Sequence, residues 1–180
     1  MASSKKWIAL IRGIGPSTHK KMSMEVLRES CKVSGLDAVS TYIASGNLLF
    51  ESAKPKAALM QILTKVLHSY DLENAVILRT PAELKKVVLA NPHPQAALKR
   101  PSHCLVVFYN HKVDLNSTDK LKQWPGPESI SSLSREICVD YIDGVGTSKL
   151  TPAVLDREVG QPGTARNWNT INRLIALTER

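Results

Sequence analysis

Four short stretches of this chain gather residue types able to hold or polarise an anion. The first is Arg12-Gly13-Ile14-Gly15-Pro16-Ser17-Thr18-His19-Lys20-Lys21, with two glycines, two hydroxyls, one histidine and three cations. A helix starting there offers unpaired N–H groups and a partial positive charge, both favourable to an anion. Its spacing is not that of a P-loop, and the glycine pair lacks the third glycine of a dinucleotide fingerprint. The competing reading is a tight turn with solvated cations. The second stretch, Ser45-Gly46-Asn47, is a polar tip whose residues suit a turn first and a ligand second. The third, Gly144-Val145-Gly146-Thr147-Ser148-Lys149-Leu150-Thr151, is either a phosphate-cradling backbone nest or the cap of a helix opened by Pro152. Capping accounts for Thr151 and leaves Lys149 unexplained. The fourth is Gly163-Thr164-Ala165-Arg166-Asn167-Trp168-Asn169-Thr170. With Thr164 as a helix cap, Arg166 falls in the first turn, where a cation opposes the helix dipole. Arg166 then either marks a site or pairs with Asp140 or Asp143.

Other chemistries find less material. His19, His68, His93, His103 and His111 form no H-x-x-x-H or H-E-x-x-H pattern, so no metal is expected. Cys31, Cys104 and Cys138 are widely spaced, which argues against a disulfide framework, and the last two sit in apolar runs as small buried hydrophobes. No G-x-S-x-G elbow occurs, and no feature asks for a cofactor. His19 is the one acid–base candidate.

The elements that must position these loops follow from periodicity. Residues 6–12 read as a buried strand, 22–36 as an amphipathic helix ended near Gly35, and 38–43 with 47–51 as two strands around Gly46. Pro55 opens a long helix, and 75–78 is a fourth strand. Strand, helix, strand, strand, helix, strand is the ferredoxin-like order. Thr80 then caps a helix with Pro81 in its first position. A strong strand at 103–109, a short helix at 116–124, a hairpin across 130–142 and a helix at 152–159 follow, with a last helix from about 165 to 177. The expectation is an α+β chain of two ferredoxin-like βαββαβ halves, antiparallel sheets with helices on one face. Residues 1–80 make the first half, and residues 81–180 an imperfect second half with extra C-terminal helices.

Charge is unevenly shared along the 180 residues. Residues 1–100 hold 15 Lys and Arg against 7 Asp and Glu, whereas residues 101–180 hold 9 of each, so the net +8 belongs to the first part. A concentrated positive field attracts phosphates. No apolar run approaches the roughly 20 residues that span a bilayer, and the run after Lys6 is too short for a signal-peptide core. A cytoplasmic protein without membrane contact is expected.

Five segments, I-A-L-I-R-G-I, Y-I-A-S-G-N-L-L-F, A-N-P-H-P, G-V-G-T-S-K-L and T-A-R-N-W-N-T-I, together resemble the bacterial family called domain of unknown function 1697. The resemblance implies a duplicated ferredoxin-like fold and no known activity. It points to Arg12 and Gly13, to Ser45, Gly46 and Asn47, to Lys149, and to Arg166, Asn167, Trp168 and Asn169. After R-G-I the family continues Asn-Val-Gly-Gly, where this chain has Gly15-Pro16-Ser17-Thr18; Pro16 removes an N–H and stiffens the loop.

The leading expectation is a binding protein that holds nucleic acid or a phosphate-bearing ligand through its basic first half, with Arg12, Gly13, His19, Lys21, Ser45, Asn47, Lys149, Arg166, Asn167 and Asn169 as ligand-binding candidates. One alternative is an enzyme on a small phosphorylated or carboxylated metabolite in a cleft between the halves, with Arg12, Lys21, Lys149 and Arg166 stabilising charge and His19 moving protons. Another is a structural or interaction protein. Nucleic acid requires a broad basic surface, the enzyme requires converging cations, and the interaction protein requires an exposed apolar patch.

Overall fold

The computed structural model describes residues 3–179. The chain divides into two compact units, Met1–Glu83 with Thr178–Arg180, and Leu84–Leu177.

The first unit runs β1 (Lys5–Ile11), α1 (Pro16–His19), α2 (Met24–Val33), β2 (Asp37–Tyr42), β3 (Asn47–Ser52), α3 (Lys56–His68) and β4 (Val76–Arg79). Its strands lie in the order β2-β3-β1-β4, every neighbouring pair antiparallel. That is the ferredoxin-like arrangement. Central β1 is apolar from Trp7 to Ile11 without alternation, because both of its faces are buried. Trp7, Ala9 and Ile11 join Leu48, Phe50, Val76 and Leu78 in a core with Leu27 and Cys31 of α2 and Leu59 and Leu63 of α3. On the opposite face Ile8, Leu10, Leu49 and Ile77 are equally closed to solvent. Helix α2 starts where the Ser23 hydroxyl accepts the Val26 N–H at 3.2 Å. It ends where Gly35, at φ +80°, lets Gly35 N bond Lys32 O and Leu36 N bond Cys31 O.

The second unit carries α4, which begins at the close of the first (Pro81–Leu89), then α5 (Pro94–Lys99), β5 (Cys104–Phe108), α6 (Leu115–Lys122), β6 (Ser129–Ser132), β7 (Glu136–Asp140), α7 (Pro152–Val159), β8 (Thr164–Asn167) and α8 (Trp168–Thr178). Its sheet order, β6-β7-β5-β8, copies the first, again antiparallel throughout. Val107, Tyr109, Ile137 and Val139 pack with Leu121, Leu155 and Val159 of α6 and α7. Val106, Phe108 and Cys138, on the other face, are buried as well.

The fold class is therefore the expected one, with one correction of an element. Residues 164–167 form strand β8, not the first turn of a helix. Arg166 pairs with Val106 and Thr164 with Phe108 of β5. Four polar-rich residues carry no legible period, and only the ladder offered by β5 makes them a strand. The true cap is Asn167, whose side-chain oxygen accepts the Thr170 N–H at 2.9 Å. The dipole conflict inferred for Arg166 disappears with this shift. Helices α1 and α5, of four and six residues, were also not expected from the sequence, each being short and opening on a proline.

The registers of the central and last strands repeat from one unit to the other, whereas the first unit alone carries a register shift between Asp37 and Ser40. Ile8 pairs with Leu49 and Arg79, and Val106 pairs with Cys138 and Arg166. Arg79 and Arg166 thus hold equivalent places, each on its unit's last strand just before a capped helix. Thr80 and Glu83 form a reciprocal cap for α4, with Thr80 N to Glu83 Oε2 at 2.7 Å and Glu83 N to Thr80 Oγ1 at 3.3 Å.

Candidate functional site

In the first unit the arginine–glycine loop and the hairpin tip are brought together. Ile11 N donates to Gly46 O at 2.8 Å. A Cβ on Gly46 would stand 2.5 Å from Ile11 O, and Gly46 holds φ +78°, so only glycine closes this contact. Asn47 is fully buried, and its Nδ2 donates to Tyr42 O and Ser45 Oγ, each at 3.1 Å. The amide that looked ligand-ready therefore ties down its own turn. Arg12 N donates to Ala75 O and Arg12 O accepts from Asn74 Nδ2 at 2.8 Å, beside Gly13 at φ +64°. Gly15 N donates to Thr18 Oγ1 at 2.9 Å. Lys21 Nζ reaches Asp71 O at 3.0 Å. His19 is half-buried, and its Nε2 has no hydrogen-bond partner.

In the second unit the glycine-rich turn opens on a cavity of about 620 Å³ lined by Trp124, Glu128, Asp143, Ser148 and Lys149. Gly144, at φ +94°, swings the chain away after β7 into a 3₁₀ turn, Val145–Thr147, and Thr147 Oγ1 donates back to Asp143 O at 3.0 Å. Ser148 Oγ donates to Glu128 Oε1, and Trp124 Nε1 to Glu128 Oε2 at 2.8 Å. Burial raises the Glu128 carboxyl, but hydrogen bonds from Ser148, its own backbone and Trp124 outweigh this and leave it below the usual range. Gly126 permits the arrangement: a Cβ there would lie 2.2 Å from Glu128 Oε2 and 2.5 Å from Trp124 Nε1. Thr151 caps α7 through Val154 N, as expected of it. Lys149 is exposed at the cavity wall, in company with two carboxylates.

A second, shallower groove of about 470 Å³ lies in the same unit, where Leu89, Asn91 and Leu98 meet Trp168, Asn169 and Asn172. Two of the sequence motifs, A-N-P-H-P and R-N-W-N-T, converge there. Trp168 N donates to Pro101 O at 3.1 Å, which fixes the start of α8 against the end of α5. Leu89 is 87 % and Leu98 77 % exposed, whereas Trp168 is only 9 % exposed.

The candidates of the second unit thus part company. Arg166 is buried on β8, its Nη1 donating to Thr164 Oγ1 at 2.7 Å and Ala165 O at 2.8 Å, and burial lowers its pKa to about 10. Asp140 is engaged by Arg100 through both oxygens, so Arg100 takes the role foreseen for Arg166. Asn167 caps a helix, Lys149 lines the cavity and Asn169 lines the groove. Lys149 and Arg166 share neither. The sequence reading missed Glu128 and Trp124, because W-P-G-P-E reads locally as a helix stop, and it named Asp143 only as a partner for Arg166.

The three cysteines are buried and free, with thiols pushed by burial to about 12 for Cys31 and Cys138 and about 11 for Cys104. Among the described residues no helix is long and apolar enough to cross a membrane.

A family model described as a protein of unknown function (DUF1697) matches residues 4–137. The match ends before the 144–149 turn and before Arg166. The fold is similar to that of a conserved bacterial protein from Streptococcus pneumoniae, with a TM-score of 0.75 at 20 % identity, over 99 % of this chain and 100 % of that one. No curated protein matches the chain.

Proposed function

This chain belongs to the DUF1697 family of proteins of unknown function, and, since that membership names no activity, we propose that it is a binding protein for an anionic partner, engaged through residues 84–100. The observation that carries this is the make-up of that segment. It holds Lys85, Lys86, Lys99 and Arg100 and no acid, within the basic first hundred residues. Arg100 is engaged by Asp140, and Lys85, Lys86 and Lys99 are solvent-exposed on α4 and α5. Lys85 and Lys86 lie one turn before Leu89 and so on its side of the helix. The exposed Leu89 and Leu98 rim the groove reached by Trp168 and Asn169.

Cations beside exposed leucines suit an acidic protein segment with apolar anchors better than nucleic acid. Base stacking contributes about 1–3 kcal/mol per base, yet every tryptophan, tyrosine and phenylalanine of the described residues is buried or half-buried. The central strands of both sheets are closed on both faces, which removes the open platform on which ferredoxin-like modules stack bases. An amphipathic acidic helix lying in the groove would cover the leucines and meet the lysines.

The test is fluorescence anisotropy with a labelled Glu/Leu helical peptide, a leucine-free Glu peptide, single-stranded RNA and duplex DNA, at about 50 and 200 mM salt. The Glu/Leu peptide is expected to bind tightest, and to lose roughly 10-fold in affinity with Lys85→Glu/Lys86→Glu and again with Leu89→Ser/Leu98→Ser. RNA or DNA binding tighter than either peptide transfers the site to nucleic acid. Failure of every polyanion at low salt overturns the proposal.

A further inference from the structure

We infer that the cavity beside the 144–149 turn is a site for a small amino-acid-like zwitterion with an apolar side chain, its ammonium between Glu128 and Asp143 and its carboxylate on Lys149. The volume, about 620 Å³, falls in the range of clefts that take small molecules. Its walls divide by chemistry: Trp124, Pro125 and Pro127 give an apolar side, and Glu128, Asp143 and Lys149 supply two negative charges and one positive.

None of these three charges is neutralised within the protein. Glu128 accepts only neutral donors, Trp124 Nε1, Ser148 Oγ and its own backbone N–H, and neither Asp143 nor Lys149 enters an ion pair among the described residues. Three unpaired charges of both signs around one concave, partly apolar space match a ligand that carries both signs itself. A phosphate dianion would face two carboxylates. A simple amine would leave Lys149 opposed to it, and a simple acid would leave both carboxylates unmet. The carboxylate of Glu128 is also held in place before any ligand arrives, by two hydrogen bonds and by Gly126 at its back, so little ordering remains to be done on binding.

This site is independent of the groove on α4 and α5, and the experiment keeps them apart. The full chain is titrated by calorimetry with L-phenylalanine, phenethylamine and 3-phenylpropionate, which carry both charges, the ammonium alone and the carboxylate alone. L-phenylalanine is expected to bind with a Kd below about 1 mM, and each half-ligand at least ~10-fold more weakly. Asp143→Asn and Lys149→Met, at exposed positions, should each weaken L-phenylalanine by ~10-fold without moving the unfolding midpoint, whereas Lys85→Glu/Lys86→Glu should leave it unchanged. Three results overturn the assignment: no heat up to about 10 mM ligand, a half-ligand as tight as L-phenylalanine, or either cavity variant binding like the parent.

Discussion

In the first unit the tip that meets the end of β1 is Ser45-Gly46-Asn47, and in the second the equivalent tip is Ser134-Arg135-Glu136. The equivalence is set by register: Leu10 pairs with Asn47 as Phe108 pairs with Glu136, and Ile11 N bonds Gly46 O as Tyr109 N bonds Arg135 O. The first tip is drawn so close to β1 that its glycine has no room for a Cβ, and its asparagine closes the turn from inside. The second keeps φ negative at Arg135 and tolerates a long side chain there. Polar residues gathered in a loop are thus structural in one repeat, while the second repeat's 144–149 turn, which carries the same kind of residues, opens on a cavity. One topology holds both, and the loops alone decide which polar groups remain available to a ligand.

The sharpest way to break this comparison is to exchange a Cβ between the tips. Gly46→Val should destabilise the first unit by about 3 kcal/mol or more, since a β-branched residue at positive φ adds to a clash with backbone that cannot yield. Arg135→Val should cost about 1 kcal/mol or less, because the bond to Tyr109 is made by the backbone carbonyl. Urea unfolding measures both, and equal losses would end the distinction between the tips.

Alkaline pH should separate the units next. A group whose folded pKa is raised keeps its proton in the native state after the unfolded chain has lost it. Stability is then full below the unfolded value and falls as pH rises toward the folded one, by about 1.4 kcal/mol per pH unit for each group. The first unit holds one such thiol, Cys31, at about 12. The second holds Cys104 at about 11, Cys138 at about 12 and Tyr141 at about 12. Between about pH 9 and 11 the second unit should therefore lose stability faster. Hydrogen exchange at core amides of β1 and β5 reads each unit separately, and parallel losses would show that these groups do not govern it.

The smallest effect concerns the helices that follow the two buried arginines. Thr80→Ala breaks a reciprocal cap and should cost about 1.5 kcal/mol, whereas Asn167→Ala removes a single bond and should cost about 1 kcal/mol. Thermal unfolding resolves the order, and a larger loss at Asn167 would mean that the α8 start also depends on Trp168 N and Pro101 O.

Much of this molecule was legible from the chain. Continuous apolar runs announced β1 as a buried strand and β5 as the strongest strand of the second half. Gly35, Thr80, Thr151 and Pro152 marked helix ends by local rules, and the glycines at 13, 46 and 144 marked the turns that close strands. The ferredoxin-like order followed from those marks. Residues 164–167 were not legible, since a strand of four polar-rich residues exists only because β5 offers it a ladder, and Thr164 and Asn167 are equally good caps in isolation.

For the site, the sequence determined which loops are rich in polar groups and where the cationic excess lies, because composition is a property of the chain itself. Only the tertiary structure decided what each group faces. Asn47 and Arg166 turn inward, Lys149 stands beside Glu128 from a loop some 20 residues away in the chain, and Leu89 and Leu98 come to flank Trp168. Hydrogen bonding and desolvation depend on neighbours in space, and those neighbours are set by strand register and loop path rather than by spacing along the backbone.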